Sequence, residues 1–235
     1  MNLPTGAVVE GWREPPRPDA IRFEGRYVML EPLSVAHAPE LFAENSKDAD
    51  ATGWTYLSYG PFANEAAYAD WVASVAGRQD PVFFAIRSKD ANCFCGVASY
   101  LRITPEAGSI EAGHIRMAPA LQRTRASTEA IYLMMQWAFE AGYRRFEWKC
   151  DALNRPSRQA AERLGLSYEG IFRQATIVKG RNRDTAWFAA IDSEWPALKA
   201  AFEQWLDPAN FDANDRQITS LGDLTAPIRV ASDPG

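Results

Sequence analysis

Cysteine and histidine are scarce in this 235-residue chain, which has three of the first and two of the second. Cys93, Cys95 and Cys150 cannot make a disulfide framework. Neither the 93/95 pair with His114 nor the lone Cys150 has zinc-site spacing, so reduced core thiols are expected and no metal. Long apolar runs are missing as well. No stretch approaches the roughly 20 residues of a membrane span, and no N-terminal segment reads as a signal peptide. A cytoplasmic protein without membrane contact is expected. Excess positive charge is the third absence: 25 Lys and Arg face 30 Asp and Glu, for a net charge of -5. A general nucleic-acid binder would be basic, so that class is disfavoured. The balance instead suits a mildly cationic partner. What is abundant is apolar: 47% of the residues are hydrophobic and eight are Trp, enough for one large globular domain.

Patterning divides the chain into 1–20, 21–206 and 207–235. The first piece contains WREPPRPDA and reads as an extended arm. RYVMLEPL (26–33) opens the domain as a strand, and Ser34 caps a short helix to about Asn45. Asn64 caps a second helix that Gly77 ends, with Tyr68, Trp71, Val72 and Val75 at helical spacing. VFFAIRS (82–88), CFCGVASYLRI (93–103) and SIEAGHIRMA (109–118) read as strands. A helix from Ala126 to Ala141, the strand RRFEWKCD, a helix between Asn154 and Gly165, two strands and a helix over 194–206 complete the domain. The last 29 residues read as a polar surface tail. The fold class is α/β (α+β): one mixed, largely antiparallel sheet of about seven strands with helices on both faces.

The stretch LQRTRASTEA (121–130) joins a strand to a very apolar helix. A helix needs one cap, yet six polar side chains crowd here. A helix start offers unpaired N–H donors and a positive dipole end, which suits a phosphate, and Arg123 and Arg125 can add forked donors. Ordinary capping by Thr124 or Ser127 fits the local residues equally well.

The segments GRYVMLEPL, IEAGHI, LQRTRASTEA and NRPSRQAAERLGLSYEG, in this order, resemble the GNAT acyltransferases, which use acetyl-coenzyme A. More narrowly, the chain is similar to the Rim-type ribosomal-protein N-terminal acetyltransferases, from about Arg26 to Asp192. The family's phosphate loop usually reads Q/R-x-x-G-x-G/A. Here the glycine positions hold Arg125 and Ser127, and an arginine there must take a helical φ or be strained.

The resemblance implies that acetyl-coenzyme A is co-substrate and that no metal takes part. It places the pyrophosphate on Arg123, Arg125, Ala126, Ser127 and Thr128. It places the pantetheine arm against backbone at Met117 and Ala118, with the Met117 N–H facing the developing oxyanion. It sets Asn154 on the arm's amides and Ser157 near the sulfur as proton donor; seen alone, these are a helix cap and a first-turn hydroxyl. The attacking amine must lose a proton, and Glu111 is the candidate base. With strict alternation it shares a face with Gly113, Ile115 and Met117, while His114 points away. A structural carboxylate is the competing reading. The expected activity is acetyl transfer to a primary amine, a protein N-terminus or a small molecule; a homodimer is compatible. The alternative is a silent GNAT-like module that binds a nucleotide or a protein, favoured if tryptophans cluster on the surface.

Overall fold

The computed structural model describes residues 3–19 and 21–235. Residues 1, 2 and 20 of the expected arm lie outside the described residues. The strands are β1 (Phe23–Glu24), β2 (Val28–Pro32), β3 (Val82–Ser88), β4 (Cys93–Thr104), β5 (Ser109–Met117), β6 (Arg145–Asp151), β7 (Ser167–Val178) and β8 (Arg181–Ile191). They form one sheet in the order β1-β2-β3-β4-β5-β6-β8-β7. Every neighbouring pair is antiparallel except β5 with β6. The mixed sheet is the one expected, with the two-residue β1 as an eighth strand.

Helices cover both faces. On one lie α1 (Ala38–Asn45), preceded by a 3-10 turn, and α2 (Glu65–Val75). Tyr68, Val72 and Val75 of α2 pack there with Phe83, Ala85 and Val97 of the sheet. The other face carries α3 (Arg125–Glu140), α4 (Arg155–Arg163) and α5 (Trp195–Leu206) around Phe84, Tyr100, Phe146 and Phe188. The sheet thus separates two cores. None of the eight tryptophans is exposed, which leaves no surface cluster to favour a binding module.

The polar residues inside α3 have structural partners. Glu129 is buried, and its carboxylate accepts the backbone N–H groups of Arg26 (2.8 Å), Tyr27 (2.6 Å) and Val28 (3.0 Å). One side chain thereby fixes the start of β2 to the helix, and a Cβ at Gly25 would stand 2.5 Å from it.

Two extensions wrap the domain. Among its described residues the arm has neither helix nor strand; Pro15 and Pro18 are buried, and the carbonyl of Pro16 accepts the Tyr143 hydroxyl at 3.1 Å. Residues 207–235 are more structured than a surface tail. They include a short helix, α6 (Leu221–Thr225), capped by Ser220. The Asn210 side chain bonds the backbone of Trp205 and Thr219, and Asp233 pairs with Arg158. Among the described residues no helix is long and apolar enough to cross a membrane.

Candidate active site

The parallel pair β5 and β6 is short. Its register runs from Ser109↔Arg145 to Ala112↔Trp148 and then stops, although both strands continue. Beyond that point β5 follows β4 and β6 follows β8, so the sheet opens between Gly113–Met117 and Lys149–Asp151. A bulge helps turn β5 away. Ser99 pairs with Gly113 but Val97 with Arg116, so three steps of β5 oppose two of β4, and His114 has a positive φ of 49°.

Backbone geometry then aims a donor into the opening. The Ala118 N–H donates to the Cys95 carbonyl at 2.8 Å. The adjacent Met117–Gly96 pair is therefore the non-hydrogen-bonded kind, and the N–H and C=O of Met117 face the gap. The Met117 carbonyl accepts from the Gln122 amide at 2.9 Å and from the Arg116 guanidinium. Its N–H is the free donor. Ala118 offers nothing comparable, because its carbonyl also accepts from Leu121 and Gln122.

Two helices start beside the opening. Thr124 caps α3: its hydroxyl oxygen accepts the Ser127 N–H at 3.1 Å. Thr128 lies one residue too deep to offer its amide, since its N–H reaches back to the Thr124 carbonyl in a regular helix. Its hydroxyl accepts from Arg163 at 3.1 Å. The unpaired first-turn donors are thus the amides of Arg125 and Ala126. Arg125 has helical backbone, the unstrained of the two outcomes open to an arginine there; the left-handed residue is Arg123, at φ 59°. The Arg125 guanidinium, expected at the phosphate, has protein partners in this structure. It lies 4.7 Å from the ring centroids of both Tyr27 and Phe211 and pairs with Asp215 at 3.0 Å. The exposed cation at this helix start is Arg123.

At α4, Asn154 caps with its side-chain oxygen, accepting the Ser157 N–H at 3.2 Å. The Ser157 hydroxyl oxygen accepts the Trp148 indole N–H at 2.9 Å. That bond leaves the hydroxyl proton free to donate, the polarity a proton donor needs. Burial pushes the neighbouring Cys150 thiol up to about 11, so it stays a thiol at neutral pH.

The side chains on the α1/α2 face of the gap form a charged chain. Glu111 is 2% exposed, and a buried carboxylate needs compensation worth several kcal/mol (order of magnitude). Arg102 supplies it, with Nη1 at 2.7 and 2.8 Å from the two oxygens, and Lys149 at 3.0 Å. Lys149 also holds Glu147 at 2.6 Å, and its ammonium lies 3.7 Å from the Trp187 ring centroid. Burial raises the Glu111 carboxyl above its ordinary value, against the pull of both cations.

The bulge corrects the strict alternation expected of β5. It leaves Glu111, Gly113 and Arg116 on this face but turns Met117 to the other, where it packs in the α3 core. It also brings His114 to the Glu111 side. The His114 Nδ1 meets the Ser99 hydroxyl at 2.9 Å, and its ring lies 5.1 Å from Phe83. Burial first, then Arg102 and Arg183, lowers His114 to about 4, so it is neutral at neutral pH.

A segment between α1 and α2 roofs this face. Tyr59 donates to the His114 carbonyl (2.8 Å), Tyr56 to the Leu153 carbonyl (3.2 Å), and the Trp54 carbonyl accepts from Lys179 (2.8 Å). Nothing in the roof's sequence signals these contacts. The structure thus brings Glu111, Met117, Asn154, Ser157 and the α3 start around one opening, with the side chains of Arg125 and Thr128 engaged by Tyr27, Phe211, Asp215 and Arg163.

An acetyltransferase (GNAT) domain model matches residues 28–167. Solved structures agree. A GCN5-related N-acetyltransferase from Brucella melitensis is 45% identical, with a TM-score of 0.90 over 93% of this chain and 100% of that one. A probable GNAT-family acetyltransferase from Chromobacterium violaceum is 39% identical, with a TM-score of 0.77 over 84% and 99%. RimL, a ribosomal L7/L12 α-N-protein acetyltransferase, shares the fold at 20% identity, with a TM-score of 0.62 over 76% and 99%. No curated protein matches the chain.

Proposed function

The chain belongs to the GNAT acetyltransferase family, and from that premise we propose that it is an acetyl-coenzyme A-dependent N-acetyltransferase acting on a primary amine by direct attack in a ternary complex. One observation carries this reading: β5 and β6 part beside two helix starts, with the Met117 N–H aimed into the opening.

In this reading the coenzyme pyrophosphate rests on the amides of Arg125 and Ala126, with Arg123 as the side-chain cation. Ser127 tightens that turn through Thr124. The pantetheine arm runs along Met117 and meets the Asn154 side-chain NH₂, the half of the amide not used as cap. The Met117 N–H polarises the thioester carbonyl and bonds the oxyanion as it forms.

The acceptor enters from the face of Glu111. Its ammonium gives one proton to Glu111, directly or through a water, and the neutral nitrogen attacks the thioester carbon. The C–S bond breaks as the amide forms. The nitrogen sheds its second proton, and the thiolate receives one from Ser157, which regains its own from solvent. Products are the N-acetyl compound, coenzyme A thiol and one proton. Arg102 and Lys149 keep Glu111 in place as a carboxylate between turnovers.

The test is a melting curve with and without acetyl-coenzyme A, paired with thiol release on adding amines. A ligand that binds only the folded chain must raise Tm, and about 100 Kd of it contributes roughly 2.7 kcal/mol. A raised Tm with amine-dependent thiol release is the expected result; an unmoved Tm contradicts the reading.

A further inference from the structure

The hairpin of β7 and β8 flanks the acceptor face, and its charge runs against that of the whole chain. Between residues 173 and 184 four cations, Arg173, Lys179, Arg181 and Arg183, face one carboxylate, Asp184. That carboxylate is already engaged, accepting from the Gln174 N–H at 2.7 Å and the Asn182 side chain at 2.9 Å.

Arg183 is the informative member. It is half-buried, its Nε is buried without a hydrogen-bond partner, and it forms no salt bridge among the described residues. It alternates with Thr185 and Trp187 along β8, and Trp187 stacks under Lys149 on the Glu111 face. The charge of Arg183 is felt at His114 on β5 and at Cys150 on β6, the two strands that part. Arg102 and Lys149 both have carboxylate partners here, and Arg183 has none. A second donor on the same strand face, the Trp187 indole N–H, is also buried without a partner. Buried donors are almost always satisfied, so two on one wall of a cleft call for a ligand rich in acceptors. Beside them the exposed Phe172 ring packs 4.4 Å from Trp187, an apolar surface open to an incoming group.

We infer that the acceptor amine carries a carboxylate, bound by Arg183, and an apolar side chain that rests on Phe172 and Trp187. The inference rests on the N-acetyltransferase reading above and names the substrate class of that site. An ammonium drawn toward Glu111 and a carboxylate drawn toward Arg183 orient the molecule from both ends. The net charge of the chain suggests a cationic partner, but recognition is set by charges within a few ångströms, and there the free one is positive.

The experiment uses three matched amines: phenylalanine, phenylalaninamide and phenethylamine. Each is assayed by thiol release with the full chain, with acetyl-coenzyme A binding measured in parallel by calorimetry. The wild type should prefer phenylalanine roughly 10- to 100-fold in kcat/KM, the range of one charge-assisted hydrogen bond. In Arg183→Gln the three amines should converge to similar values, and Arg183→Lys should restore part of the preference. A wild type with no preference for the carboxylate, or a preference that survives in Arg183→Gln, overturns the inference. So does acetyl-coenzyme A binding without acetylation of any of the three amines. Failure to bind acetyl-coenzyme A at all overturns the functional reading itself, which keeps the two failures apart.

Discussion

The two ends of the gap are built differently. In the proposed reading the coenzyme end is mainly backbone, the Met117 N–H and the first-turn amides of α3, joined by the side chains of Arg123 and Asn154, and each is set by a segment a few residues long. The acceptor end is made of side chains from β4, β5, β6 and β8, joined as Arg102–Glu111–Lys149–Glu147 beneath Trp187. Backbone donors tolerate changes of side chain, whereas a buried charge chain does not, since losing one member strands the next. On that reading a phosphate loop can carry Arg125 and Ser127 in place of glycines, because the proposal asks neither side chain to meet the coenzyme.

The largest effect should come from the acceptor end. Glu111→Gln keeps the shape and removes the base, and activity at neutral pH should fall about 10²-fold or more. Because burial raises the Glu111 carboxyl above its ordinary value, the base form is lost as pH falls through that raised value. The wild-type pH–rate profile should therefore rise at a pH above the usual carboxylate range, and that limb should be missing from the mutant. A mutant with the wild-type profile reduces Glu111 to a structural carboxylate.

Ser157→Ala lies between the two ends and should have an intermediate effect. Turnover should drop about 10-fold while acetyl-coenzyme A affinity barely moves, because the lost proton matters as the thiolate forms. Equal losses in kcat and in calorimetric affinity would place Ser157 in binding alone.

The smallest effect is expected from Arg125→Ala, at the coenzyme end. Its guanidinium is held by Tyr27, Phe211 and Asp215, so acetyl-coenzyme A affinity should change less than about 3-fold, under 0.7 kcal/mol, while Tm falls as the contact with residues 211–215 is lost. A loss of affinity 30-fold or greater would mean that the side chain swings to the phosphates, and the contrast between the ends would dissolve.

The same contrast explains what the sequence disclosed. Helix caps such as Asn64, Thr124 and Asn154, and stops such as Gly142, are local signals, and the helices lie where those residues put them. The strands followed from apolar periodicity. The β5 bulge did not, because nothing in IEAGHIRM marks where an extra residue enters. Strict alternation therefore paired Glu111 with Met117 and turned His114 away, and the structure reverses both. The charge chain joins residues as far apart as 102 and 149, which only the folded sheet brings together. The packing of Arg125 was hidden for a similar reason: its partners stand 98, 86 and 90 positions away, at Tyr27, Phe211 and Asp215. The helix α6 is too short for periodicity to reveal, and its Ser220 cap sits in a polar stretch that otherwise reads as coil.

The measurement that bears most directly on this account is a crystal structure of the chain with coenzyme A. The account predicts the pyrophosphate within hydrogen-bonding distance of the Arg125 and Ala126 amides, the arm along Met117 and Asn154, and the sulfur beside Ser157. Phosphates bound away from the start of α3, or an arm that does not enter between β5 and β6, would contradict it.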